Sequence, residues 1–302
     1  MKKLEINKIL VPIDFSDNSV NAFNTAAAMA QRHDAHVKLL FVFDIDNNLY
    51  PESPINNRYH YPGDAIRSLE ELARTAREKF SISCDIAYAN GAITTSILQK
   101  AIETGSDIIV MGKNGHSGER AMYAGSHTYD VIKKSHCPVL MVTGNKTKED
   151  FTNVLFPVRP VLSVLEKYNM ARPILTKDTG SLHLMGMRDP VQPAEVHIIS
   201  KLMNQLKQSA DEDGLDTKVT YFFNDNKFAK QVLDTAASSV YKFDLIVITA
   251  ELDETVREFY LGDYAQQIIH QSTVPVLVIR ATQEVMPQEK VMRVLESATS
   301  MF

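Results

Sequence analysis

The residues with the clearest chemical potential lie in one loop, GKNGHSGERAMYAGS at 112–126, directly after the apolar run SDIIVM at 106–111. Gly112, Gly115 and Gly125 are spaced by two and then nine intervening residues, and Ser126 opens a helix-like stretch. Glycines let backbone amides approach a ligand closely or take positive φ, and a helix N-terminus concentrates partial positive charge. Together they describe a phosphate cradle. Lys113 and Arg120 against Glu119 leave the loop slightly positive, so an anion is tolerated there. The second candidate is Asp14, which closes the apolar stretch KILVPID at 8–14. Two plainer readings stand beside these: a loop that only needs tight turns, and Asp14 and Ser126 as N-terminal caps of the helices that follow them.

Other constellations are weaker. His33 and His36 have a separation that could suit a metal, but no carboxylate or thiol pattern completes it. His116 and His127 flank the glycine loop and could contact a terminal phosphate. The P-loop, nucleophile-elbow and H-E-x-x-H patterns are all missing. Cys84 and Cys137 sit in β-like runs and read as buried, reduced thiols.

The elements that must position the loop repeat along the chain. KILVPIDFS at 8–16 is echoed by NVLFPVRPV at 153–161, an offset of 145 residues. SDIIVMG and GSHTYDVIKKSHCPVLMV at 125–142 are echoed by FDLIVITA and GDYAQQIIHQSTVPVLVI at 262–279, an offset of 137. The chain reads as a tandem duplication. In the first copy, apolar periodicity predicts strands over 9–13, 37–43, 83–88, 107–111 and 138–142, with helices over 17–33, 64–80, 94–103 and 126–135. In the second, strands are predicted near 154–158, 181–186, 217–222, 244–248 and 275–280, with helices near 190–212, 227–240 and 263–271. The stretch 159–180, with Pro160, Pro173 and Gly180, makes a poorer first helix. Continuous apolar strands alternating with helices imply an α/β fold of two doubly wound, Rossmann-like domains, each a mainly parallel five-stranded sheet with helices on both faces. The expected boundaries are domain 1 over 1–143, a polar linker over 144–152, domain 2 over 153–281, and a tail over 282–302 with helical spacing. Residues 45–62 read as a surface loop with a lid as the functional option.

Composition narrows the function. The chain has 302 residues, 44% hydrophobic and 23% charged, as in ordinary globular proteins. A net charge of −5 gives no chain-wide attraction for polyanions, which argues against nucleic-acid partners. The opening MKKLEINKILVPIDF lacks a signal-peptide core and no apolar run is long enough to span a bilayer, so a cytoplasmic protein without membrane partners is expected.

The spacing G-x2-G-x9-G-S after an apolar strand, with V-P-I-D closing the first strand, resembles the nucleotide-binding universal stress proteins, and both motifs are complete within 1–143. The resemblance covers both copies and implies two adenine nucleotide alpha hydrolase-like domains related by a pseudo-twofold, with ATP, as Mg-ATP, the ligand of the first. It implies that Asp14 faces the nucleoside over a floor shaped by Pro12 and Ile13, and that Val42 touches adenine. Met111 would end the fourth strand beside them, and Lys113 would share the loop in which Gly112 and Gly115 wrap ribose and phosphate. Gly125, Ser126 and the backbone of His127 would hold the phosphates. It further implies pairing of Val139–Val142 with Val276–Ile279, and allows a homodimer of chains. In the second copy the matching positions are Arg159 for Asp14, Thr249 for Gly112, Leu252 for Gly115 and Asp263 for Ser126, with only Gly262 retained. Its loop sets Glu251, Asp253, Glu254, Glu258 and Asp263 against Arg257, so that half is not expected to bind ATP in the family manner. The resulting expectation is a nucleotide-responsive stress protein. The alternatives are slow ATP hydrolysis or phosphotransfer through Lys113, Arg120 or His116, and an interaction module without nucleotide.

Overall fold

The computed structural model describes residues 5–43, 62–114, 126–144, 150–161, 163–178, 180–188, 193–223, 227–250, 252–253 and 260–280. Gly115, Gly125, His116, Arg120, the 45–61 stretch, the middle of the expected linker and the 282–302 tail lie outside these residues.

Two compact units result: unit 1 is Met1–Asp150 with Ile269–Val278, and unit 2 is Phe151–Ile268 with Ile279–Phe302. Unit 1 carries β1 (Lys8–Pro12), α1 (Asp17–His33), β2 (His36–Phe43), α2 (Pro62–Phe80), β3 (Cys84–Asn90), α3 (Ile93–Thr104), β4 (Ile108–Gly112), α4 (Ser126–Lys134) and β5 (Val139–Val142). Its strands run parallel in the order β3-β2-β1-β4-β5. The α/β, doubly wound architecture expected from the alternating pattern is the one found. All four residues of β5 are buried, as suits a strand covered on both faces.

In unit 2 the elements are β6 (Asn153–Val158), α5 (Ser163–Asp178), β7 (Ser181–Arg188), α6 (Pro193–Glu212), β8 (Asp216–Phe223), α7 (Phe228–Ala236), β9 (Leu245–Ala250), the short antiparallel pair β10 (Leu252–Asp253) and β11 (Tyr260–Leu261), and α8, which begins there (Asp263–Gln271). The main strands run β9-β6-β7-β8. Finally β12 (Val276–Arg280) places Val276, Leu277 and Val278 antiparallel to Met141, Leu140 and Val139 of β5, so these three residues count with unit 1.

The β10–β11 pair is not expected from the sequence, and two helices differ from their expectation. The stretch read as a poor helix forms α5, sixteen residues long with Pro173 inside it. Burial of Val164, Tyr168, Ala171, Ile174 and Leu175 outweighs the hydrogen bond that the proline removes. The helix expected over 227–240 stops at Ala236, leaving Val240 exposed, while the Tyr241 ring just beyond it stacks on Phe243 with centroids 5.5 Å apart.

The two copies share a register. Ile9 lies opposite Ile108 and Leu10 opposite Ile109, while Val154 lies opposite Leu245 and Leu155 opposite Ile246. These pairs are related by the same 145- and 137-residue offsets as the sequence echoes. A carboxylate brackets the entry to the first strand in both. Asp107 Oδ2 accepts from the Asn7 and Lys8 amides at 2.8 and 2.9 Å, and Asp244 accepts from the Thr152 and Asn153 amides at 3.1 Å each.

Candidate functional site at the carboxyl ends of β1 and β4

In unit 1 the chain leaves β1 toward β2 on one side and reaches β4 and β5 on the other, so β1 and β4 flank the topological switch point, where open α/β sheets bind ligands. The β1–β2 register continues to Pro12 opposite Leu40, whereas the β1–β4 register ends at Leu10 opposite Ile109. The last residues of β1 and β4 therefore part from one another. Pro12 and Val42 are half-buried at this end, and Met111 is buried. Ile13 is core, with its amide donating to the Leu40 carbonyl at 2.8 Å.

Asp14 organises the turn out of β1. Its Oδ1 accepts from the Ser16 amide at 3.0 Å and from the Ser16 hydroxyl at 2.6 Å. Ser16, not Asp14, is the N-cap of α1: its Oγ accepts from the Ser19 amide at 3.2 Å. Between them Phe15 sits at φ 62°, a left-handed conformation that costs a non-glycine residue about 1 kcal/mol or more. Its ring lies against Phe41 with centroids 5.5 Å apart, which helps offset that strain. Asp14 is thus held by the turn with its carboxylate at the strand end.

Gly112 has a structural requirement of its own. A Cβ there would lie 2.8 Å from the backbone carbon and oxygen of Asn18 and 2.9 Å from its Cβ. The first turn of α1 presses on the end of β4 closely enough that only glycine fits. The carbonyl of Gly112 accepts from Thr128 Oγ1 at 3.0 Å, tying the start of α4 to the end of β4. Ser126 is exposed at the first position of α4, whose first turn contains no acid. The His127 ring nitrogen Nδ1 is 3.4 Å from Thr94 Oγ1, and the backbone amide of His127 belongs to the first turn of α4, whose amides lack intrahelical acceptors.

Lys113 takes a partner that the sequence did not suggest. Its amide donates to the Val142 carbonyl at 2.8 Å and its Nζ to the Ser272 carbonyl at 2.9 Å. Burial pushes the ammonium below the usual lysine range. Asn114 Oδ1 is buried with no hydrogen-bond partner among the described residues, a spare acceptor at the head of the glycine loop. A nucleotide would fit this set of groups: acceptors at the Asp14 carboxylate and Asn114 Oδ1, and backbone donors at an acid-free helix terminus. Among the described residues no cluster of three metal-ligating side chains occurs. Cys84 and Cys137 are buried free thiols, and desolvation raises both, Cys84 to about 11.

The matching end of unit 2 is built differently. Arg159 at the end of β6 stacks its guanidinium carbon 4.7 Å over the ring of Tyr264 in α8, a helix that opens on Asp263. Thr249 replaces the packed glycine, and its buried hydroxyl has no partner among the described residues.

Beside Asp14, Gly112 and Ser126, which the sequence singles out, the structure places Asn18, Thr128 and Phe15, which it does not. Thr128 carries no signal beyond lying one turn into a helix, and the closeness of Asn18 to Gly112 is a tertiary distance.

The universal stress protein family model matches residues 5–143. The chain is 34% identical over 146 residues to the universal stress protein YxiE of Bacillus subtilis, covering 98% of that protein and 45% of this chain. It is 29% identical over 140 residues to a universal stress protein of Methanocaldococcus jannaschii, covering 81% of that protein and 45% of this chain. Its fold matches the crystal structure of a universal stress protein from Archaeoglobus fulgidus with a TM-score of 0.73 over 92% of this chain and 100% of that one, at 18% identity. The chain belongs to the universal stress protein family. Among the described residues, no helix is long and apolar enough to cross a membrane.

Proposed function

We propose that unit 1 binds ATP at the β1–β4 crevice and that the protein is a cytoplasmic, nucleotide-responsive regulator whose second copy does not bind ATP. The observation that carries this reading is the pairing of the Asp14 carboxylate, fixed by Ser16 at the end of β1, with the acid-free start of α4, tied to Gly112 through Thr128. The first supplies an acceptor for a nucleoside hydroxyl and the second supplies amides for phosphate. Pro12 and Val42 offer apolar surface to the base. Lys113 and the backbone of Met111 and His127 complete the near side, and Gly115 and Gly125 extend it through the glycine motif. ATP would arrive with Mg2+ on its phosphates.

The shared registers and the paired Asp107 and Asp244 brackets support descent of the two copies from one duplicated domain. The Arg159–Tyr264 stack and Asp263 at the head of α8 support loss of the nucleotide role in the second. Pairing of β5 with β12 would let one chain supply both partners of a family-type dimer contact, with a homodimer of chains as a further level.

Calorimetric titration of the full chain with Mg-ATP, beside Ser126→Asp, tests the reading. Aspartate suits a helix start, so the variant keeps its stability, but its carboxylate repels phosphate. One site per chain that Ser126→Asp weakens at least tenfold is the expected result. Two equivalent sites would overturn the loss in the second copy, and binding indifferent to Ser126→Asp would overturn the cradle.

A further inference from the structure

The segment Ile269–Val278 joins unit 1 from the far end of the chain and is tied there at four points. Lys113 Nζ donates to the Ser272 carbonyl at 2.9 Å, and Thr143 Oγ1 donates to the Thr273 carbonyl at 3.0 Å. The His270 ring stacks on Tyr129 of α4 with centroids 5.3 Å apart and an interplanar angle of 17°. Val276 to Val278 pair with β5. Of these ties, only the first begins in the glycine loop and only the first carries a full charge.

We propose that Lys113 couples the crevice to Ile269–Val278: its ammonium, which holds the Ser272 carbonyl, turns to a phosphate when nucleotide binds, loosening the segment. The inference rests on the reading of the crevice as a nucleotide site. A half-buried ammonium held by one neutral carbonyl is under-compensated, and a phosphate oxygen is a stronger partner because that hydrogen bond is charge-assisted at both ends. The depression of Lys113 by burial, and of His270 by burial and by Lys113, agrees with a charge kept in a poorly solvated place. Lys113 directly follows Gly112, whose carbonyl accepts from Thr128 in the first turn of α4, so the lysine's backbone stands beside the proposed phosphate end of the crevice. The second copy carries Ala250 at the matching position, so the device belongs to the nucleotide half.

Occupancy and loosening are then linked in both directions, since coupling between binding events is reciprocal. The outcome is a protein that reports its ligand through a segment distant in sequence.

Hydrogen–deuterium exchange of the full chain tests this with and without saturating Mg-ATP, using Lys113→Met to delete the ammonium and Lys113→Arg to keep a cation. Without nucleotide, Lys113→Met is expected to speed exchange across 270–278 by about tenfold, with Lys113→Arg near wild type. Mg-ATP is expected to slow exchange at 126–130 and speed it at 270–278 in the wild type, and to add nothing at 270–278 in Lys113→Met. Unchanged 270–278 exchange in ligand-free Lys113→Met overturns the tie. Slowing at 126–130 without a response at 270–278 overturns the transfer while leaving the nucleotide reading intact. An unresponsive 126–130 segment overturns the nucleotide reading and the transfer together, and the ligand-free comparison still decides the tie by itself.

Discussion

Replacing Gly112 by alanine adds a single methyl group at a point where the protein has no room for it. That methyl would lie 2.8 Å from the Asn18 backbone, whereas carbon atoms in contact favour about 3.5–4.0 Å, so the end of β4 and the first turn of α1 must separate by roughly 0.7 Å. Overpacking of this kind costs about 1–3 kcal/mol. The displaced turn also carries the Ser16 cap on Ser19, whose weakening costs up to about 1 kcal/mol more. For a unit of this size each kcal/mol lowers the melting temperature by about 2–4 °C, so a total cost of about 1–4 kcal/mol gives an expected fall of about 2–16 °C. Gly63 is the control, because a Cβ there meets nothing within 4 Å and it sits in the first turn of α2. Gly63→Ala is expected to stabilise by about 0.5–1 kcal/mol through helix propensity. Differential scanning calorimetry of both variants therefore predicts shifts of opposite sign. A Gly112→Ala protein that melts at or above the wild-type temperature would refute the packing argument, and the first glycine would then owe its place to ligand contact alone.

Removing the strand-entry brackets is expected to hurt the second copy more: Asp244→Ala strands two amides around a carboxylate that is 3% exposed and costs about 2–4 kcal/mol in urea unfolding, while the more exposed Asp107→Ala costs about 1 kcal/mol. Burial, and secondarily Lys218, depresses the His183 imidazole, so the unfolded chain binds the proton more tightly than the folded one. Stability should therefore fall as pH drops through about 6.5, and His183→Gln should flatten that slope in melts between about pH 7.5 and 5.5; a slope unchanged by the substitution counts against this assignment. Asp14→Asn should weaken Mg-ATP binding several-fold with only a small loss of melting temperature, because the amide oxygen can still accept from Ser16. Equal affinity in Asp14→Asn would move the nucleoside contact elsewhere.

Most of the scaffold was legible because buried parallel strands are written as continuous apolar runs and each helix of unit 1 lies between two of them. The two echoes carry the matching registers of the first strands in both copies. α5 was obscured because Pro160, Pro173 and Gly180 are local signals, whereas the burial of Tyr168 and Leu175 that sustains the helix is tertiary. The site was legible as residue types but not as relationships. Nothing in the letters GKNG says that Gly112 is pressed by Asn18, or that Lys113 bonds a carbonyl 159 residues away.

The twin carboxylate brackets have a practical side. Asp107 and Asp244 fix the amino ends of both sheets in the same way, and the two copies differ at the opposite ends, where Asp14, Gly112 and Ser126 face Arg159, Thr249 and Asp263. A chain built in this manner is a ready chassis for transplantation: the frame that carries the proposed crevice exists a second time with a different rim.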